Sequence, residues 1–302
     1  MTAGSTWTAS EGDAAGEALN LKEKPVSGYK FTDSFHADAA AISALLELPP
    51  HPSLASSKAG DSKSTVAIRN LVVDAASLKI YLHVLSHTSR ITTLDFFNAG
   101  ISAEGVRAIA DALPILPCST LKLDYNPLKS WEQEDQDASP RFALLVRPSL
   151  LRTLSLRGNG ITDSGATAIA AALEDITLPL ASLNLFDNAI GDAGAAAIAD
   201  SLKINGILAG LSLSRNRLGP AAAASCEALL TGYILDEPVR TKRATADERI
   251  AAANKAVADA AKKKKSAAPV PMPALAAATV RPDGTAFVRG TRTLAILNLG
   301  NN

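Results

Sequence analysis

Apolar residues recur at fixed intervals through the middle of the chain. The spacing of leucine and isoleucine in 151–161 returns in 180–190 and again in 208–218, each time with an asparagine at the ninth position. The three asparagines are 29 and then 28 residues apart. Each interval begins with alternating apolar residues and continues with a helical period, so it predicts one strand followed by one helix. One such coil cannot bury its apolar face alone, and several coils are therefore expected to stack.

The asparagines occupy the point where the chain leaves each strand. Asn159, Asn188 and Asn216 can bond the backbone of the turn through their side-chain amides, in their own coil or the next, and stacked coils would then form a ladder of such bonds. In the coil that begins at 91 this position holds Ala99, and Asn98 stands one residue earlier. We expect the ladder to slip there.

The stacked coils are predicted to span 61–232. Residues 64–90 match the pattern weakly, as expected for a terminal coil. The coil that opens at Cys118 is longer than its neighbours by about five residues, and its acidic loop Glu132–Asp137 is read as solvated. A metal site is the alternative there, but the loop has no glycine at the turn position of a calcium loop.

The two flanking regions differ in composition from the coils. Residues 1–60 are predicted to be a mostly disordered tail with a capping helix over His36–Leu46. Residues 233–290 form an Ala/Lys/Pro-rich insertion, within which 244–265 can be a solvent-exposed helix. The pattern resumes as a strand in 291–302 and stops at Asn302, so either the chain is a fragment or a partner covers that edge.

Composition narrows the classes of function. The chain has 30 basic and 30 acidic residues, which gives no overall reason to expect nucleic acid or a membrane surface as a partner. No apolar run is long enough to span a membrane and no signal peptide is recognised, so a cytoplasmic location is expected. Cys118 and Cys226 fall at inward-facing positions and are expected to be buried free thiols rather than a disulfide or a metal pair.

Motifs for catalysis are missing from the sequence. His83 and His87 have the spacing of a zinc-binding pair, but Val-Leu-Ser lies between them without the glutamate of the metalloprotease motif. The glycines of 157–165 are explained by the repeat. We therefore expect no enzyme activity, no cofactor, no bound metal and no small-molecule substrate.

Candidate contacts with other proteins lie at the outward-facing strand positions. Aromatic residues are only 4% of the chain, so aromatic side chains at these positions, flanked by arginine, indicate interface anchors. The alternative is that they shield the strands or touch the N-terminal tail. The predicted protein-binding residues are Asp95, Phe97, Lys122, Asp124, Tyr125, Arg157, Asn184, Phe186, Asp187 and Arg215.

A second candidate contact is the basic run Lys262, Lys263, Lys264 and Lys265. It can make an electrostatic contact with an acidic surface such as a tubulin lattice, or with nucleic acid, or it can belong to a solvated, mobile insertion. Because no aromatic residues interleave with the lysines, nucleic acid is the weaker interpretation.

The motifs Gly-Ile-Thr-Asp-Ser-Gly-Ala at 160–166 and Ala-Ile-Gly-Asp-Ala-Gly-Ala at 189–195 carry a resemblance to a known family. With the leucines before them, they resemble the ribonuclease-inhibitor class of leucine-rich repeats. The resemblance implies an α/β leucine-rich-repeat solenoid: a right-handed horseshoe with parallel strands on its concave face and helices on its convex face.

The layout of repeats, lysine-rich insertion and resumed repeat is similar to a family of ciliary leucine-rich-repeat proteins. That resemblance implies a non-enzymatic scaffold in the axoneme of motile cilia, whose partners are axonemal proteins or tubulin. The alternative is a cytosolic scaffold that resembles ribonuclease inhibitor and binds or signals through a globular protein.

Overall fold

The fold is taken from a computed structural model of the 302-residue chain. It describes residues 26–55, 64–128, 137–147, 149–263, 274–275, 277–281, 285–288, 290 and 294–302. Every structural statement that follows refers to these residues.

A seven-stranded parallel sheet runs through the molecule. Its order follows the chain except at the last strand: β1 (Thr65–Arg69), β2 (Thr93–Phe97), β3 (Thr120–Lys122), β4 (Thr153–Ser155), β5 (Ser182–Asn184), β6 (Gly210–Ser212) and β10 (Ile296–Asn298). The register aligns Leu121 with Leu154 and Leu154 with Leu183. These leucines are buried in one column, so the strands predicted from the leucine spacing are confirmed.

Each of the first six strands is followed by a helical segment, which after β1 to β5 returns to the start of the next strand. The α-helices are α3 (Ala75–Leu85), α4 (Ala103–Ala112), α5 (Asp163–Leu173), α6 (Asp192–Leu202) and α7 (Pro220–Thr231). The long third coil has a 3-10 helix, Ser139–Leu145, instead of an α-helix. Because every coil adds its apolar face to the same core, the elements form an α/β solenoid.

Two aspartates join the starts of neighbouring helices. The Asp163 carboxylate accepts hydrogen bonds from the backbone N–H groups of Gly191 (2.7 Å) and Gly194 (2.8 Å). Asp192 accepts in the same way from Gly219 and Ala222 in the following coil. Unsatisfied N–H groups at a helix start favour a carboxylate, so each aspartate stabilises the helix of the next coil.

The segment before β1 is largely ordered where it is described. Helix α1 (Phe35–Leu45) buries Ala39 and Ile42 completely, and the short helix α2 (Pro52–Ala55) follows it. Residues 26–55 therefore contrast with the disorder expected for most of 1–60, because their apolar side chains cover the end of the solenoid core. Residues 1–25 and 56–60, also expected to be disordered, lie outside the described chain.

The asparagine ladder reaches Ala99 from the following coil. Asn126 Oδ1 accepts from the N–H groups of Ala99 (2.9 Å) and Ile101 (3.1 Å), so each amide bonds the coil before its own. Asn159 and the asparagines after it continue the same pattern. Asn98 has a φ of 47°, and its side-chain amide donates to Asn70 Oδ1 in the preceding coil at 3.0 Å. Since Ala99 has no side-chain amide, the side-chain bond from this coil to the preceding one comes from Asn98, one residue before the ladder position.

The described part of the insertion is folded. Strands β7 (Tyr233–Ile234), β8 (Ala278–Val280) and β9 (Ala286–Val288) form an antiparallel sheet in the order β7-β9-β8. Helix α8 (Glu237–Lys263) buries Ala246 and Ile250 against Ile176 and Ile204 of the solenoid. The helix expected over 244–265 is present, but its first half is not fully exposed to solvent, because it covers an apolar patch at the helix ends of two coils.

Helix α8 is also fixed by polar contacts. Arg243 is buried and donates to the carbonyl oxygen of Lys203 and to the Tyr233 hydroxyl, the latter at 3.1 Å. Lys242 pairs with Glu174 at 2.6 Å and Arg249 with Asp175 at 3.2 Å.

After the insertion, β10 returns to the main sheet and pairs in parallel with β6. Of the described helices, none combines the length and apolar character that crossing a membrane requires.

Candidate protein-binding surface

The face of the sheet opposite the helices carries the candidate site. Its ten predicted residues lie on the strands or in the turns that directly follow them: Asp95, Phe97, Lys122 and Asn184 in strands, and Asp124, Tyr125, Arg157, Phe186, Asp187 and Arg215 in turns. Six of them contact one another along the ends of β2 to β6. We call the set Phe97, Tyr125, Arg157, Phe186, Asp187 and Arg215 the ridge.

Tyr125 connects the two ends of the ridge. Its ring centroid lies 5.3 Å from that of Phe97, and its hydroxyl donates to Asp187 Oδ2 at 3.2 Å, two coils further along. Its φ is 58°, an uncommon conformation for a bulky residue. This conformation directs the ring along the sheet and across Gly158 of the next coil.

Phe186 lies between two arginines. The guanidinium carbon of Arg157 is 4.7 Å from the ring centroid and that of Arg215 is 5.6 Å from it, both within the range of a cation–π contact. Arg215 Nε also pairs with Asp187 Oδ1 at 3.5 Å. The half-buried ring and the two cations therefore form one stacked unit.

Asp95 and Asp124 are placed differently from the expectation. Both are buried, and their carboxylates are bonded internally. Asp95 pairs with Arg69, while Asp124 Oδ1 accepts from Ser155 Oγ at 2.6 Å and from the Arg157 N–H at 3.1 Å. A buried carboxylate needs such partners. Asp95 therefore joins strands β1 and β2, and Asp124 stabilises the turn at Arg157.

Asn184 and Lys122 are half-buried on the strands beneath the ridge. Asn184 Oδ1 accepts the backbone N–H of Phe186 at 3.0 Å, and so it shapes the turn that presents the aromatic ring. Lys122 is aligned in register with Asp95 on one side and Ser155 on the other.

The basic run of the insertion is only partly described. Lys262 and Lys263 end helix α8, and only their backbone belongs to the described part of the chain. Lys264 and Lys265 lie outside the described residues, as do 132–136 of the acidic loop. Asp137, the last residue of that loop, accepts from the Ser139 N–H at 2.9 Å and caps the 3-10 helix.

The sequence interpretation missed the residue on which the ridge depends. Gly158 occupies the left-handed position that Asn98, Tyr125, Asp187 and Arg215 occupy in other coils. A Cβ atom there would lie 2.4 Å from the Tyr125 ring. The sequence did contain a sign of this. At the position directly before each ladder asparagine, Gly158 is the one glycine, and the other coils have larger residues there.

Other candidate chemistry gives no site among the described residues. They contain no cluster of three or more histidine, cysteine or acidic residues that could hold a metal ion. Cys118 and Cys226 are both free and buried, as expected. Burial raises the pKa of the Cys118 thiol to about 11, so this group is not a reactive thiolate at neutral pH.

Comparison with known proteins agrees with this architecture. A sequence profile described as "Leucine Rich repeat" matches residues 91–110, 148–170 and 179–199. Each matched segment lies in a different coil of the sheet. Together with the parallel sheet and its alternating helices, these matches show that the fold is an α/β leucine-rich-repeat solenoid.

More specific similarities are weak. No curated protein gives a significant match to the chain. Among solved structures, "Leiomodin-1 Actin-Binding Site 2 (ABS2)" is similar over 53% of this chain and 96% of its own, with 18% identity and a TM-score of 0.33. At this score the similarity supports no functional inference.

Proposed function

We propose that the chain is a non-enzymatic scaffold that binds another protein through the ridge. The observation that carries the proposal is the Phe186 unit, in which one ring is held between Arg157 and Arg215 at the open face of the sheet. Aromatic and arginine side chains in such an arrangement are typical interface anchors. Leucine-rich repeats commonly present this face to proteins, which supports the same reading.

We further propose that the partner belongs to the axoneme of motile cilia, either tubulin or an axonemal protein. The support is the layout of the chain, in which a lysine-rich insertion interrupts the repeat array after α7. The basic run Lys262–Lys265 would be a second contact, with an acidic filament. The protein then works in the cytoplasm and the cilium, without a membrane, nucleic acid or small-molecule substrate.

Co-sedimentation with purified axonemes tests this proposal. The ridge variant is Tyr125→Asn with Phe186→Ser, because Asn98 and Ser214 occupy the equivalent positions of other coils. Asparagine accepts the left-handed turn, which alanine at 125 does not. The insertion variant replaces Lys262–Lys265 by glutamine, since deleting the helix would remove the buried Ala246 and Ile250.

We expect the unmodified chain to sediment with axonemes and the ridge variant to lose most of that binding while its unfolding transition is unchanged. Loss in the insertion variant would show that the basic run contributes. If the chain binds no axoneme, and a tagged copy in ciliated cells stays in the cytosol, the axonemal role is wrong and the cytosolic scaffold for a globular protein stands in its place.

A further inference from the structure

The charges in and beside the ridge are arranged asymmetrically. The side chains of Arg69 and Arg215 are 61% and 58% exposed, whereas that of Asp95 is only 6% exposed. Asp124 is likewise buried beneath the turns. Because the arginines lie outermost and two of the carboxylates lie below them, a partner that approaches this edge of the sheet meets mainly positive charge.

Arg157 is the cation at the centre of this edge. Among the described residues it forms no ion pair, in contrast to Arg69 and Arg215. Its Nε is buried and has no hydrogen-bond partner there. Arginine carries five N–H donors in a planar fork that matches a carboxylate. The stack on Phe186 orients that plane while leaving its donors unused by described residues.

We propose that the ridge recognises an acidic segment of its partner protein, and that a glutamate or aspartate carboxylate binds Arg157 beside the Phe186 ring. This inference rests on the proposed protein-binding function and names the chemistry of the partner. Arg215 contributes a second cation, which Asp187 holds in place at 3.5 Å. A basic segment is repelled at the same edge, so charge selects the partner.

A peptide titration tests the inference on the full chain. The probe is a short oligoglutamate peptide, followed by heteronuclear NMR of the arginine Nε–H groups, with oligolysine and an oligodeoxythymidylate of equal charge as comparisons. The variants are Arg157→Gln, Arg157→Lys and the matched control Arg152→Gln. Arg152 is exposed before the same strand, β4, and its loss changes the net charge equally.

Oligoglutamate is expected to shift the Arg157 signal and to bind less tightly as salt is added. Loss of a charge-assisted bond weakens binding by about 10- to 100-fold in Arg157→Gln. Arg157→Lys, which keeps the charge but loses the planar stack, is expected to fall between Arg157→Gln and the unmodified chain. Arg152→Gln is expected to bind like the unmodified chain.

Three results would overturn the inference: no binding of oligoglutamate, an equal loss in Arg152→Gln, or equal affinity for the oligonucleotide. Axoneme binding measured on the same samples separates this failure from that of the proposed function. If the Tyr125→Asn/Phe186→Ser variant loses axonemes while oligoglutamate never binds, the ridge is a protein-binding surface that does not select acidic segments.

Discussion

Tyr125 lies across Gly158 of the next coil, so close that a Cβ atom on the glycine would be 2.4 Å from ring carbons Cδ1 and Cε1. The tyrosine itself has a φ of 58° and the glycine a φ of 65°. The two left-handed positions are neighbours, and there is room for only one side chain between them. Because Gly158 has none, the Tyr125 ring fits over it and its hydroxyl reaches Asp187.

Gly158→Ala tests this relationship, with Gly160→Ala as its matched control. Both glycines have a positive φ, but a Cβ at Gly160 meets nothing within 4 Å. We expect each variant to lose about 1–2 kcal/mol of unfolding free energy from the left-handed backbone. Gly158→Ala should lose about 1–3 kcal/mol more from overpacking. Urea denaturation measures both, and equal losses would contradict the account of the ridge.

The asparagine ladder is expected to be a major source of stability. Asn159→Ala leaves the Asn126 N–H and the Leu123 carbonyl without their bonds from the Asn159 side chain, and both residues are buried. Leaving two such groups unsatisfied costs about 3 kcal/mol of unfolding free energy. Asn98→Gly is the control: it keeps the left-handed turn and removes the bond to Asn70 at an exposed position, so a change below about 0.5 kcal/mol is expected. A similar loss in both variants would show that a buried ladder asparagine contributes no more than an exposed amide.

Docking of the insertion helix depends on a small apolar cluster. Ile250→Ala removes most of a side chain packed against Ile176 and Ile204. We expect faster amide exchange throughout the first half of α8 while α5 and α6 stay protected, because α8 would open locally. Val257→Ala, on the same helix beyond the cluster, should leave exchange near its original rate. Unchanged exchange in Ile250→Ala would mean that the ion pairs of Lys242 and Arg249 hold the helix instead.

The packing of the N-terminal segment, residues 26–55, against the solenoid is expected to become less stable in mild acid. Burial, and secondarily the nearby His87, lowers the pKa of His83, which packs edge-on against Phe31 at 5.7 Å. The unfolded chain therefore binds a proton more readily, and stability falls as the pH drops below about 6.5. In His83→Gln the fall in unfolding free energy between roughly pH 7.5 and pH 5.5 should be smaller.

His87→Gln is the control for the pH experiment. It removes the charge of His87, the smaller of the two causes that lower the pKa of His83, and leaves the burial of His83 in place. More of the pH dependence of stability should therefore remain than in His83→Gln. Identical pH profiles for the unmodified chain and His83→Gln would show that His83 does not contribute.

The positions of the strands and ladder asparagines in each coil were predictable from sequence, because the spacing of apolar residues determines them directly. Leu154 and Asn159 stand where the pattern placed them, one in the buried column and one in the ladder. Spacing alone does not show that Asn98 bonds the Asn70 side chain while its backbone takes the left-handed turn. The first half of α8 was read as solvated because its buried positions, Ala246 and Ile250, are too sparse to give a clear apolar face.

The site was predictable as a face of the sheet but not in its contacts. Strand alternation placed Phe97, Tyr125 and Phe186 on the strands; Phe97 lies in β2, whereas Tyr125 and Phe186 lie in the turns after β3 and β5. It also placed Asp95 and Asp124 in solvent, whereas the structure buries both, because bonds between coils depend on residues about thirty positions apart. The Tyr125–Gly158 contact is of the same kind and needs the register between two coils.

Photo-cross-linking from opposite faces of the solenoid tests the central claim most directly. A benzophenone amino acid at Lys122, on the strand face beneath the ridge, is compared with the same group at Arg107, exposed on α4. With axonemes present, we expect a cross-linked product from position 122 and little or none from position 107. A product from position 107 alone would contradict the assignment of the ridge as the binding surface.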